Sequence, residues 1–377
     1  MRTLSLLASI IVATVSITLF LFRDQISEAS NNKTVANLLA RLRAYNKLST
    51  ASLDEALLQT HPLDLPPGTH LTVTNMSLPR AIRKVFLAPE QAEGVGARVR
   101  RSVGTPQLRN FSPFLMLDHC SIRPGAGFPD HPHRGQETIT YILQGGLDHE
   151  DFAGNKGSLS AGDLQFMTAG RGVMHSEMPR QTPDGSPTVA MQLWVDLPKH
   201  LKNCEPRYRD LRASEIPVVE VDDGKVKVKV ISGQSHGVDS VKELAYTPVW
   251  ILDVEIKPGG KIAQPLPKGW NAFAYVMEGQ AMFGKEGNQT TADQYCNVVF
   301  EPEGDVVYAE VDAGSEKSAR FVLIAGTPLD QPIVQYGPFV VTSKEEVYQA
   351  MMDYQTHSNG FERAKGWESE IGKSMVH

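Results

Sequence analysis

The chain is short of cysteine and of aromatic residues, and it carries no surplus of basic charge. Cys120, Cys204 and Cys296 stand alone with no C-x-x-C pair. That argues against a disulfide framework or a thiolate zinc site and leaves all three as small buried apolar residues. A formal net charge of -6 over 377 residues argues against a surface built to coat nucleic acid, and no direct nucleic-acid contact is expected. Long apolar runs are equally scarce. One exists, Leu4 to Phe22, between Arg2 and Arg23-Asp24. It is long enough to cross a bilayer.

That run predicts an apolar N-terminal helix within residues 1–25, a signal-anchor or transmembrane segment that reaches the membrane through residues 4–22. An uncleaved anchor is the first expectation. A signal cut near Ser27-Glu28-Ala29, or an organellar presequence, are the alternatives, and a nuclear or cytoplasmic location is disfavoured. Residues 26–82 read as a linker. Leu38, Leu39, Leu42 and Tyr45 recur at helical spacing, Ser52-Leu53-Asp54-Glu55 resembles a capping box, and His61-Pro62 ends the second short helix.

From about Arg83 the pattern becomes short runs rich in Val, Ile, Phe, Thr and Tyr, broken by Gly, Pro, Asn and Asp. Thr138 to Gln144, Leu164 to Thr168, Val189 to Val195, Val226 to Ile231, Val249 to Ile256, Ala272 to Met277 and Arg320 to Ile324 are predicted strands. Together they give an all-β sandwich or barrel. Only the end departs from this: Ser343-Lys344-Glu345-Glu346 caps a helix to about Thr356, and Gly360 to Ile371 is a second helical candidate.

An internal repeat organises the β region. Pro124-Gly125-Ala126-Gly127-Phe128, His131-Pro132-His133-Arg134-Gly135 and Tyr141-Ile142-Leu143-Gln144-Gly145 are echoed by three later strings. These are Pro258-Gly259-Gly260-Lys261-Ile262, Pro265-Leu266-Pro267-Lys268-Gly269 and Tyr275-Val276-Met277-Glu278-Gly279. The glycine frame survives, but His131 becomes Pro265, His133 becomes Pro267 and Glu137 becomes Asn271. Two β-barrels from one duplicated plan follow, with metal-binding potential in the first alone.

The chemistry sits in two strings, His131-Pro132-His133 and His175-Ser176-Glu177. Residues i and i+2 of a strand project from one face, so the four side chains can converge on one ion. Three imidazoles and one carboxylate suit a first-row divalent metal, with iron ahead of manganese, zinc, nickel and copper. If the strand after His133 stays regular, Glu137 shares its parity and is a ligand or an outer acceptor. Phe128, Phe166, Met167, Met174 and Met191 either line the adjoining pocket or form ordinary core. His149, in Asp148-His149-Glu150-Asp151, reads as a solvated hairpin end, and His119, His200 and His236 as surface or hydrogen-bonded residues. Arg98, Arg100 and Arg101 with Arg134 form a basic face or a solvated strand edge.

The two strings resemble the motifs of the cupin superfamily. The longer segments Gly127-Phe128-Pro129-Asp130-His131-Pro132-His133-Arg134-Gly135, Gln165-Phe166-Met167-Thr168-Ala169-Gly170-Arg171-Gly172 and His175-Ser176-Glu177-Met178-Pro179 resemble the pirin family of bicupins. Support comes from residues 93–101 and 360–367, and the likeness spans about 84 to 373. It implies two tandem cupin barrels, a metal-binding one at 83–235 and a metal-free one at 236–342, followed by a helical segment at 343–377. It also implies Fe(II) on His131, His133, His175 and Glu177, with Glu137 in the second shell.

By the same resemblance, the chain is a quercetin 2,3-dioxygenase-type enzyme acting on a flavonol-like aromatic, with Glu177 as ligand and proton acceptor. The alternative is a redox-responsive regulator that binds a partner protein on the Arg98/Arg134 face. The apolar N-terminus sits poorly with the nuclear version of that second role.

Overall fold

The computed structural model describes residues 77–375 apart from 181, 183, 242 and 243. The apolar run at 4–22, the alternative cleavage site and the expected linker helices lie outside the described residues. Among those described, no helix is long and apolar enough to cross a membrane. The sole α-helix among them, Lys344–Thr356, has 13 residues, about 20 Å at 1.5 Å per residue, against a hydrocarbon core of about 30 Å. The expected membrane or secretory location is corrected on that finding: no described helix supports an anchor, and the apolar helix on which the expectation rested is not among the described elements.

The rest is β-structure, and the duplicated plan is visible in the strand order. The first half has a seven-stranded sheet ordered Arg207–Leu211, Leu164–Thr168, Gln136–Gln144, Thr188–Asp196, Phe114–Ile122, Ala97–Val103, Glu90–Glu93. The second half repeats it as Ile82–Leu87, Cys296–Phe300, Asn271–Glu278, Ala319–Gly326, Val249–Ile256, Val226–Ser232, Val218–Val221. Each half adds a four-stranded sheet: Phe128–His133, Val173–Pro179, Gly146–Asp151, Lys156–Ser160 in the first, and Lys261–Pro265, Val306–Glu310, Gln280–Phe283, Thr290–Asp293 in the second.

Sheet membership crosses the expected boundaries at 83 and 235. Ile82–Leu87 pairs antiparallel with Cys296–Phe300 and so completes the second half from a position before the first. Val218–Val221 and Val226–Ser232 also belong to the second sheet. The reason lies in the alternation: Val226, Val228 and Val230 point into the second barrel's core while Lys227 is exposed.

The large sheets meet face to face. Phe114, Ile139, Tyr141 and Leu193 from the first pack with Ile251, Phe273, Tyr275 and Ile324 from the second, and Phe114 meets Phe273 edge-on at 5.2 Å. Each such ring, fully buried, stabilises the layer by roughly 2–3 kcal/mol. Within this layer Asp253 accepts hydrogen bonds from Tyr141 Oη (2.7 Å) and from Arg320 Nε and Nη2 (3.0 and 2.8 Å).

The barrel interiors differ. The second is packed with Trp250, Trp270, Phe283, Phe300 and Phe321 among valines and alanines. The first has only a small apolar cluster of residues such as Val99, Cys120, Ile122, Ile142 and Leu159, and its remaining interior is polar. Aromatic side chains fill the copy that lost its histidines.

The C-terminal segment returns to the first half. Ser343 Oγ accepts from Glu346 N at 3.1 Å and caps the helix at the expected place. The second candidate helix, Gly360 to Ile371, is reduced to one short 3-10 turn, Glu362–Ala364, and a further 3-10 turn, Gly372–Met375, follows it. Of the cysteines, Cys120 is buried as expected, whereas Cys204 and Cys296 are partly exposed.

Candidate metal centre

Two neighbouring strands build the site. His131 and His133 share one face of Phe128–His133, and His175 lies directly opposite His131 on Val173–Pro179. The three rings come within 4.4 to 5.0 Å of one another, centroid to centroid. One ring nitrogen from each lies within 4.8 Å of the others.

Their hydrogen bonding leaves that centre unsatisfied. His131 Nδ1–H donates to Pro129 O at 2.8 Å, which directs its Nε2 lone pair away from the backbone. Gln136 Nε2 lies 2.7 Å from His133 Nδ1 while Gln136 Oε1 has no partner; with the amide turned by 180°, Oε1 would accept Nδ1–H and leave Nε2 of His133 to bind. His133 Nε2 and both nitrogens of His175 are buried with no partner. Burial, reinforced by the neighbouring imidazoles, pushes both groups well below the usual histidine range, so they are neutral. The orphaned nitrogens of His133 and His175, gathered with a ring nitrogen of His131, fit a divalent transition metal, because leaving such groups unpaired is costly.

Glu177 does not join the cluster. A register shift between His175 and Glu177 displaces it along the strand, where it pairs with Phe128 and His149. Its carboxylate is held instead by Thr140 Oγ1 (3.0 Å) and by Gln192 Nε2 (3.3 and 3.4 Å). Trp194 Nε1 donates to Gln192 Oε1 at 3.1 Å, which fixes the amide with its nitrogen toward Glu177. The Trp194 ring meets His133 edge-on at 5.1 Å.

A cavity of about 540 Å³ opens from this centre. Its walls include Leu115, Met116, Phe128 and Trp194, with Glu177 and Gln192 beside the histidines and Gln335, Gly337 and Pro338 at the rim. Arg101 also lines it, donating to Asp118 at 2.8 and 2.7 Å. Of the five residues read as either pocket lining or ordinary core, only Phe128 lines this cavity; Phe166 and Met191 pack between the large sheets and Met174 lies against the C-terminal segment.

Glu137 turns away. The chain breaks at Gly135 (φ +76°), where a Cβ would collide with Val340 O, and parity shifts by one. Gln136 thereby takes the place beside His133, while Glu137 accepts from Thr168 Oγ1 and from the backbone N–H groups of Tyr246 and Thr247 at 2.8 to 3.0 Å. Burial pushes its pKa up despite these donors.

Two further expectations change. His149 is buried, not solvated: it faces Gln165 at 2.7 Å and Asp210 at 3.6 Å and stacks on Tyr208. The joint Arg98/Arg134 face does not exist. Arg134 is buried, paired with Asp353 at 2.7 Å, donating to Asn359 O and Arg171 O and lying over Phe361, while Arg98 pairs with Glu90 on the surface. His119 and His236 are hydrogen-bonded, to Tyr275 and Ser235, and His200 is exposed, as expected.

Gln192 and Trp194 escaped the sequence reading. Their signal was the alternation in Thr188–Asp196, where Met191, Leu193 and Val195 are core and the intervening Gln192 and Trp194 face the other way.

Two small barrels of one topology, one histidine-lined and one packed solid, define a bicupin. The model of the pirin family matches residues 96–195, and that of the pirin C-terminal cupin domain matches 251–360. A pirin-like protein from Solanum lycopersicum is 48% identical over 78% of this chain and 98% of its own length, and human pirin is 48% identical over 76% and 96%. A crystal structure of quercetin 2,3-dioxygenase from Acinetobacter baumannii superposes with a TM-score of 0.68 at 27% identity, covering 74% of this chain and 98% of that one. The chain belongs to the pirin family.

Proposed function

We propose that the chain is a metal-dependent dioxygenase of the quercetin 2,3-dioxygenase type, acting on a small flavonol-like aromatic. The observation that carries this reading is the set of buried, unpartnered nitrogens of His133 and His175, which cluster with His131 where His131 and His133 line the cavity. His131, His133 and His175 would hold one first-row divalent ion, Fe(II) first, and Glu177, which lines the same cavity, would be the fourth ligand on swinging from Thr140 and Gln192 toward the histidines. When bound, such an ion supplies a Lewis-acidic, redox-active centre with positions left for oxygen donors.

The protein's own residues do the rest. About 540 Å³ lies within the usual range for small-molecule pockets, and Leu115, Met116, Phe128 and Trp194 offer flat apolar walls that exclude water from an aromatic substrate. Glu177 is the proton acceptor for a flavonol hydroxyl, and Thr140 and Gln192 hold its carboxylate in reach of that hydroxyl. Gln136 fixes the ring of His133, and Pro129 O that of His131. The likeness to the Acinetobacter quercetin 2,3-dioxygenase supports the choice of substrate class.

The second reading is a regulator that reports the state of the centre to a protein partner. It draws on one observation: Asp130, next to His131, accepts from Ser369 N at 3.1 Å, which ties a histidine-bearing strand to the C-terminal segment. Oxygen uptake decides between the two. The full chain loaded with Fe(II) should consume oxygen on adding quercetin, and His133→Ala should not; metal binding without uptake by the parent would leave the regulator.

A further inference from the structure

A second cavity, of about 390 Å³, opens between the two barrels on the far side of the strand that carries Cys120. The first half contributes Arg100, His119, Leu143 and Val189, and the second contributes Met277, Tyr295 and Arg320. Interfaces between halves of a molecule are favoured places for small ligands.

Its charges are sorted by depth. The Arg100 and Arg320 side chains are 27% and 23% exposed, whereas the carboxylate partners at the rim, Glu90 and Glu278, are 42% and 63% exposed. Solvent screens the rim carboxylates more than the inner guanidiniums. Asp253, beneath Arg320, is shared with Lys229 at 3.5 Å, so two cations face that one buried carboxylate. Burial, with Arg100 and Arg320 beside it, pushes His119 down to about 4, which leaves a neutral imidazole in a positive field.

Tyr295 is strained into place. Its φ of +68° lies in the left-handed region, which bulky residues rarely adopt, and two backbone hydrogen bonds hold it there, Tyr295 N to Val276 O (2.7 Å) and Ala88 N to Tyr295 O (2.9 Å). The result is a ring presented beneath the Arg100 guanidinium, 4.1 Å from its centroid. Leu143, Val189 and Met277 supply an apolar wall beside the polar Ser121, Gln144 and Gln294.

We propose that this interbarrel cleft is a second binding site, separate from the histidine centre, for a small organic acid with one carboxylate on an aromatic body. The carboxylate lies between Arg100, Arg320 and His119, and the ring lies against Tyr295 and the apolar wall.

The test is calorimetric titration of the full chain with 2-naphthoate and with its neutral isostere 2-naphthamide. Saturable binding of the acid is expected, with the amide weaker by about tenfold or more, since a charge-assisted contact is lost. Arg100→Gln should weaken the acid by a similar factor, and Gln144→Trp, an exposed rim position that tolerates substitution, should block the cleft. His133→Ala should leave acid binding unchanged. No saturable binding of the acid, equal binding of acid and amide, loss of binding in His133→Ala, or binding retained in both Arg100→Gln and Gln144→Trp would each overturn the proposal.

Discussion

His175 stands directly across from His131 on the neighbouring strand, and the two rings lie 4.4 Å apart with no hydrogen bond to either nitrogen of His175. A buried imidazole with two orphaned nitrogens is costly unless something binds it. The packed second barrel shows the alternative, since it replaces polar interior with tryptophan and phenylalanine.

Gln192→Leu tests the role of the amide behind Glu177. It removes a donor to a buried carboxylate and the acceptor of the Trp194 indole. Stability should fall by about 1–3 kcal/mol. On the proposed dioxygenase reading, flavonol turnover should drop about tenfold at similar KM, because Gln192 holds Glu177, the proposed proton acceptor, and is not part of the aromatic wall. Denaturant titration and steady-state oxygen uptake measure the two effects, and an unchanged turnover would remove Gln192 from the positioning chain.

His119 makes stability depend on pH. Its folded value of about 4 lies below the ordinary histidine value of about 6.5. The unfolded chain therefore takes up a proton first as pH falls, so the contribution is intact above about 6.5 and is lost progressively down to about 4. Between pH 7 and pH 4.5 the parent should lose about 2–3 kcal/mol more than His119→Gln does. Urea midpoints at the two pH values read the difference, and parallel losses in both proteins would contradict the assignment.

Arg134→Lys should loosen the C-terminal segment. The guanidinium makes bonds to Asp353, Asn359 and Arg171 and lies over Phe361, a planar fork that lysine cannot reproduce. A loss of about 1–3 kcal/mol is expected, because the charge opposite Asp353 is kept while the other donors of the fork are lost. Amide exchange should accelerate first within 344–364, and uniform acceleration across both barrels would refute a local clasp.

Trp250→Ala separates the halves functionally. The indole sits in the packed second barrel, edge-on to Trp270 at 5.9 Å. Truncation should cost about 3–5 kcal/mol while leaving metal content unchanged. Loss of metal from a folded variant would mean that the second barrel shapes the centre.

Much of this was legible in the chain. Leu164–Thr168 and Val249–Ile256 are strands over the very residues expected, and Ser343 caps the helix at its predicted start. Both follow from local chemistry, β-branched runs between turn residues and a serine ahead of glutamates. The repeat offered two barrels, and the pairing of strands confirms one topology used twice. What stayed hidden depended on breaks in regularity. The turn at Gly135 exchanged Glu137 for Gln136, and the shift after His175 moved Glu177 toward Thr140. The exchange of Ile82–Leu87 into the second sheet is a long-range pairing that no local pattern encodes. Arg134 looked like a surface charge because its partner, Asp353, lies 219 residues away.

Metal stoichiometry tests the central claim most directly. The full chain, stripped with chelator and titrated anaerobically with Fe(II), should bind one ion per chain, and His131→Ala, His133→Ala and His175→Ala should each weaken binding by about a hundredfold or more while remaining folded. Stoichiometric binding that survives the loss of His175, or no binding by the parent, would contradict it.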